Sequence, residues 1–220
     1  MSISFSRVAI NPAARAARRA LSSPEVLHAI VMRAFGSPSS EPHRTLWRLD
    51  RSDSGLMLFV TGPGKPEPGI LGEQLGVAVA DIGSFAYDRF LSTLAAGQEW
   101  QFRLRANPTK ALRQPSSRSK RLPLIKEDDQ LAWLIRQGEQ HGGFEIPRNR
   151  LAVPEVVIGA RGIDEFRRQD ATVTLGTAVF DGILRVMDAE MLRSALIGGL
   201  GRGKAYGCGL LTLAPAPRSA

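Results

Sequence analysis

The chain has one cysteine, Cys208, and three histidines in 220 residues. A single thiol excludes an internal disulfide, and no Cys/His cluster stands at zinc spacing. A reducing cytoplasm fits that composition. No apolar run approaches the length of a membrane span. Acids are also scarce: 21 Asp and Glu stand against 29 Lys and Arg, for a net charge of +8. That balance is high for an enzyme of small metabolites. It points to a polyanionic partner, with nucleic acid ahead of a membrane surface. At 43% hydrophobic, the chain holds enough apolar surface for one large core or two small ones.

The segment "NPAARAARRALSS" lacks acids altogether and is rich in Arg, as an organelle transit peptide would be. Its flanks argue for folded protein instead. "ISFSRVAI" before it alternates like a strand, and "SPEVLHAIVMRAF" after it has a helical period.

The stretch "GGLGRGKAYGCGLL" satisfies a nucleotide-binding spacing through Gly198, Gly203 and Lys204. A phosphate-binding loop of that kind needs a strand before it, a helix after it and a hydroxyl residue beside the lysine. Here Ala205 follows Lys204. The segment from Asp188 to Ile197 reads as a helix, with Asp188 as N-cap and Met191, Ala195 and Leu196 on one face. "CGLLTLAP" reads as a strand. The order is reversed, so no nucleotide cofactor is expected. The loop still offers backbone N–H groups with Arg202 and Lys204, which suit phosphates of another kind or serve a packing turn.

Along the chain, a strand at Ile3 to Ile10 is followed by a basic loop and a helix capped by Ser23, with Pro24 at its first position. "TLWRLDR" and "GLMLFVTG" read as a hairpin around residues 52–55. Within residues 70–94, "SFAYDRFLSTL" fits helix or strand. The pattern restarts after Gly97. "EWQFRLRANPTK" alternates, with Phe102 and Leu104 on one face and Arg103 and Arg105 on the other. A Ser/Arg/Lys-rich loop, Arg113 to Arg121, precedes the amphipathic "KEDDQLAWLIRQGEQ", whose acids suit a helix N-terminus. A long irregular stretch, a strand at about Thr172 to Val186, the helix, the glycine loop and the last strand complete the chain. The second half therefore reads β-α-β-β-α-β, the ferredoxin-like order, and the first half can be fitted to it. The expected fold class is α+β, with two tandem ferredoxin-like domains at residues 1–95 and 96–220.

Three stretches taken together carry a family resemblance. "FRLRANPTK", "RLPLIKEDDQLAWL" and "GLGRGKAYGCGLLTLAP" resemble CasE, the type I-E CRISPR precursor-RNA endoribonuclease. The likeness is looser in residues 11–95 and 140–170. It implies two ferredoxin-like domains and metal-independent cleavage at the 3′ base of a repeat hairpin. The RNA's own 2′-hydroxyl would be the nucleophile, leaving a 2′,3′-cyclic phosphate. It also implies that the enzyme stays on the hairpin and joins the Cascade complex. Internal attack needs an in-line geometry, proton transfer and cations for the developing charge, but no metal or other cofactor.

The resemblance places the catalytic histidine at His28. Without it, Leu27, Ile30 and Val31 would make His28 more readily a core-edge residue than a catalytic one. His43 reads as a loop histidine and His141 as a cation near a helix C-terminus. Family members often carry a tyrosine one turn before the catalytic histidine, where this chain has Glu25. A carboxylate at i, i+3 could orient the imidazole, but it cannot copy a phenol's hydrogen bond to phosphate. Glu25 is equally readable as an acid favouring the helix N-terminus.

The candidate RNA contacts are Arg103, Arg105, Lys110, Arg113, Arg118, Lys120, Arg121, Arg202 and Lys204. The family's basic element follows the RNA stem, and the loop from Arg113 to Arg121 matches its position. A-form RNA hides its base edges in a narrow groove, so such a loop would mainly meet phosphates. Trp47, Trp100 and Trp133 fit strand and helix cores. A catalytically silent hairpin-binding scaffold is the competing reading. An acyl-CoA-dependent acetyltransferase is a weaker one, because its pyrophosphate loop needs a following helix.

Overall fold

The computed structural model describes residues 2–36, 44–53, 55–111, 121–168 and 171–216. The chain forms two units: Met1–Thr93 with Ile197–Gly199 and Lys204–Leu210, and Leu94–Leu196 with Leu200–Gly203 and Leu211–Ala220. The glycine-rich stretch is thus divided between them, and Lys204 to Leu210 belong to the first.

In the first unit, β1 (Ile3–Ile10) leads to a short helix α1 (Arg15–Ala20), where the sequence reading had a basic loop. Ala17 and Ala20 bury its inner side, while Arg18 and Arg19 end it. The helix α2 (Pro24–Ala34), the hairpin β2 (Leu46–Ser52) and β3 (Gly55–Pro63), the helix α3 (Pro68–Leu75) and β4 (Ile82–Ala86) follow. A one-turn helix α4 (Asp88–Leu91) closes the unit. The ambiguous segment is therefore both strand and helix in succession. The sheet runs β2-β3-β1-β4, all antiparallel, which is the ferredoxin-like order. Val8 and Ile10 of β1 join Leu58 and Val60 of β3 with Leu27, Ile30 and Val31 of α2 and Leu71 and Leu75 of α3 in one core.

The second unit repeats the order. It contains β5 (Glu99–Ala106), the small hairpin β6 (Thr109–Ala111) and β7 (Arg121–Pro123), and α5 (Glu127–Gln137). A π-helical turn, Gly138–Gly142, leads to β8 (Phe144–Glu145). The strands β9 (Val156–Arg168) and β10 (Ala171–Val186), the helix α6 (Ala189–Gly198) and β11 (Leu211–Pro215) complete it. The sheet runs β11-β5-β10-β8, with β9 also pairing β10. The stretch read as irregular thus contains a 13-residue strand. It carries a bulge: Gly159 to Gly162 face Val179 to Thr177, and Ala160 takes φ 38°. The expected caps are present. Asp188 Oδ1 accepts from Met191 N–H at 3.0 Å, and Glu127, Asp128 and Asp129 fill the first turn of α5. The chain is a pair of tandem ferredoxin-like domains.

Candidate functional site

His28 takes its place from α2. Ser23 Oγ accepts the Val26 N–H at 3.2 Å, and Pro24 opens the helix. Such a cap is worth about 1 kcal/mol. Burial of Leu27, Ile30 and Val31 contributes about 1.5–3 kcal/mol each, so packing rather than capping fixes the helix. His28 sits at the border of this apolar face and is half-buried. Trp47 of β2 reaches it, and the indole Nε1–H donates to His28 Nδ1 at 3.3 Å. Glu25 lies one turn earlier and is exposed. Among the described residues, no hydrogen bond or ion pair joins Glu25 to His28.

Trp47 is itself held. It is 3% exposed and pairs with Val60 across the sheet. Gly207, at φ +75°, lies against its ring so closely that a Cβ there would sit 2.7 Å from Cζ3. A glycine is needed twice over at that point, for the left-handed backbone and for the space. On the opposite side of β2, Arg48 is 2% exposed. Its guanidinium meets Asp50 Oδ1 at 2.7 Å and Leu210 O at 2.9 Å, and lies over the Phe59 ring. The segment Lys204–Leu210 therefore grips the edge strand β2 on both faces.

This gives the glycine-rich stretch a structural task. Lys204 Nζ donates to Gly198 O at 2.6 Å, satisfying a carbonyl at the end of α6. Burial, and then the charge of Arg44, push the Lys204 pKa below the ordinary lysine value. Gly201, at φ +71°, sits against the Trp133 ring within the second unit. Arg202 is exposed, and its backbone bridges Asn107. Of the two cations expected to meet phosphate here, Arg202 is presented to solvent and Lys204 is tied to backbone.

The strand β5 bears out its alternation: Phe102 and Leu104 are buried, and Arg103 and Arg105 lie on the other face. Both arginines have carboxylate partners in the second unit. Arg103 meets Asp181 at 2.5 Å, and Arg105 meets Asp164 at 2.6 Å. Lys110 on β6 and Arg121 on β7 are exposed in the small hairpin, where Ala111 pairs with Arg121. Arg113, Arg118 and Lys120 lie outside the described residues, as does His43. His141 is exposed in the π-helical turn before Gly143. Trp133, like Trp47, is buried, while Trp100 is half-buried.

The sequence reading missed Trp47 as a partner of His28 and Arg48 as a buried cation. Neighbouring positions on one strand fall on opposite faces, which was legible; what each face meets was not. Among the described residues no group of three His, Cys, Asp or Glu side chains is placed to hold a metal ion. No helix there is long and apolar enough to cross a membrane.

Two ferredoxin-like units in one basic chain, one with a histidine held by an indole and the other with a face of arginines, define a class of tandem-domain protein suited to nucleic acid. The particular family follows from similarity. The model of the CRISPR associated protein family matches residues 4–215, and the chain belongs to that family, in its CasE branch. It is 32% identical over 219 residues to the CRISPR-associated endoribonuclease Cse3 of Thermus thermophilus, covering 96% of this chain and 99% of that one. It is 30% identical to the CRISPR system Cascade subunit CasE of Escherichia coli over 84% of this chain and 96% of that one. The structure of Thermus thermophilus Cse3 bound to an RNA representing a pre-cleavage complex matches 98% of this chain and 100% of that chain, at 32% identity and a TM-score of 0.80.

Proposed function

We propose that this chain is a CRISPR precursor-RNA endoribonuclease that cleaves repeat hairpins, remains on its product and joins a Cascade complex in the cytoplasm. The observation that carries this reading is the near full-length likeness to Cse3, a protein whose RNA-bound structure superposes on this fold. The reaction is a transesterification. The 2′-oxygen bonds to phosphorus, the bond from phosphorus to the 5′-oxygen breaks, one proton leaves the 2′-hydroxyl and one arrives at the 5′-oxygen. The product ends are a 2′,3′-cyclic phosphate and a 5′-hydroxyl.

In this reading His28 acts at the scissile phosphate. Its imidazole is half-buried and held in place, as a group that must meet a reacting atom needs to be. Arg121, Lys110 and Arg202 are exposed and meet the RNA backbone. Arg113, Arg118 and Lys120, which lie outside the described residues, belong to the same proposed set of RNA contacts. Arg103 and Arg105 reach phosphate by exchanging their carboxylate partners, more readily at the half-exposed Arg103–Asp181 pair, where the cost is about 0–1 kcal/mol, than at Arg105, whose side chain is 21% exposed. Lys204 shapes the loop from within. Glu25 acts as an acid of the first helical turn.

The test is incubation with repeat hairpin RNA in EDTA, followed by analysis of the product ends. Cleavage in chelator with a 2′,3′-cyclic phosphate is expected. Loss of cleavage on chelation, restored by magnesium, would contradict the mechanism. Tight hairpin binding with no cleavage under either condition would favour the silent scaffold.

A further inference from the structure

We infer that Trp47 is a positioning residue for His28: it sets the tautomer of the neutral imidazole, with the hydrogen on Nε2. The inference rests on the reading of His28 as the group that acts at the scissile phosphate. An indole N–H donates and cannot accept. Because Trp47 Nε1–H points at His28 Nδ1 at 3.3 Å, Nδ1 must present its lone pair. A neutral imidazole carries one N–H, which then belongs to Nε2.

The donor is placed to persist. Trp47 is 3% exposed, its backbone is registered on Val60 in β3, and Gly207 lies against its ring. The acceptor is anchored by Leu27, Ile30 and Val31 under α2. Neither partner can turn away without disturbing the core.

The consequence is chemical. In this tautomer the imidazole offers RNA a hydrogen-bond donor at Nε2, not a proton acceptor. Taking the 2′-hydroxyl proton at Nε2 would need the other tautomer and would cost the bond to Trp47. Forming the imidazolium would place two N–H groups face to face. The role that keeps the bond is donation from Nε2 to a phosphate oxygen, where negative charge grows as the 2′-oxygen bonds to phosphorus. The hydrogen then stays on Nε2. Water takes the 2′-hydroxyl proton and supplies the proton that the departing 5′-oxygen gains.

The experiment compares wild type, Trp47→Phe and His28→Ala by histidine ¹⁵N NMR and by single-turnover cleavage of a repeat hairpin. Wild type should show His28 with Nδ1 unprotonated and Nε2 protonated at a pH where the ring is neutral. Trp47→Phe keeps the ring and removes the donor. It should give a mixture of tautomers and slow cleavage by about 3- to 10-fold, the worth of one hydrogen bond, with hairpin affinity unchanged. A wild-type ring protonated on Nδ1 overturns the inference without recourse to any variant. So does Trp47→Phe with wild-type cleavage, whichever tautomer it shows. Full cleavage by His28→Ala is a separate failure: it removes the catalytic reading itself, even where the tautomer still shifts in Trp47→Phe.

Discussion

Arg48 and Asp50 in the first unit form an ion pair whose side chains are 2% and 15% exposed, whereas Arg103 and Asp181 in the second are 42% and 37% exposed. The two sheets share one strand order, yet they use charge in opposite ways. In the first unit a cation is sealed between a backbone carbonyl, a carboxylate and the Phe59 ring, and the Trp47–His28 pair lies on the other side of the same strand. In the second, arginines line an open strand face with partners that solvent can replace. The lesson is a division of labour within a duplicated topology. One unit uses its polar contacts to hold a few groups still, and the other leaves its ion pairs open to solvent.

The contrast can be broken most forcefully at Arg48. Arg48→Met removes a buried cation and leaves Asp50 and Leu210 O without it. Removal of one partner from a buried pair costs about 3–5 kcal/mol. Chemical denaturation should show that loss. A change below about 1 kcal/mol would place Arg48 among the solvated pairs and erase the difference between the units.

Next in size is the proposed set of RNA-contacting cations. Neutralising Arg118, Lys120 and Arg121 together should flatten the slope of log K against log salt by about two to three, if each meets one phosphate. Cleavage of saturating hairpin should persist. An unchanged slope would move the RNA elsewhere.

How far the sequence foretold this division depends on where burial leaves a periodic trace. Ser23 and Pro24 announced α2, the alternation around Phe102 and Leu104 announced β5, and the acids from Glu127 to Asp129 announced α5. Each is a local signal. The strand β9 left no such trace: Val157 and Ile163 are exposed, Gly159 and Gly162 interrupt it, and none of residues 156–165 is buried. The short helix α1 was hidden by its arginines. His28 was singled out through resemblance, but its indole partner was not legible. Trp47 lies 19 residues away and meets the imidazole only because β2 packs beside α2. Lys204 drew attention as part of a phosphate-loop spacing, and packing supplied the actual reason for it and for the neighbouring Gly207.

The smallest effect is expected at Glu25. Glu25→Gln should lower stability by about 0.3–1 kcal/mol through the helix N-terminus and leave the pH dependence of cleavage unchanged, because no hydrogen bond or ion pair joins Glu25 to His28. A shifted pH–rate profile would restore the carboxylate as a partner of the imidazole.

The central claim is that chemistry resides in the first unit while phosphate contacts supply most of the binding. His28→Ala tests it most directly, with single-turnover cleavage and hairpin affinity measured on the same preparation. Cleavage should fall by about 10²–10³ while affinity stays near that of wild type. Cleavage at the wild-type rate, or a loss of affinity as large as the loss of rate, would contradict the account.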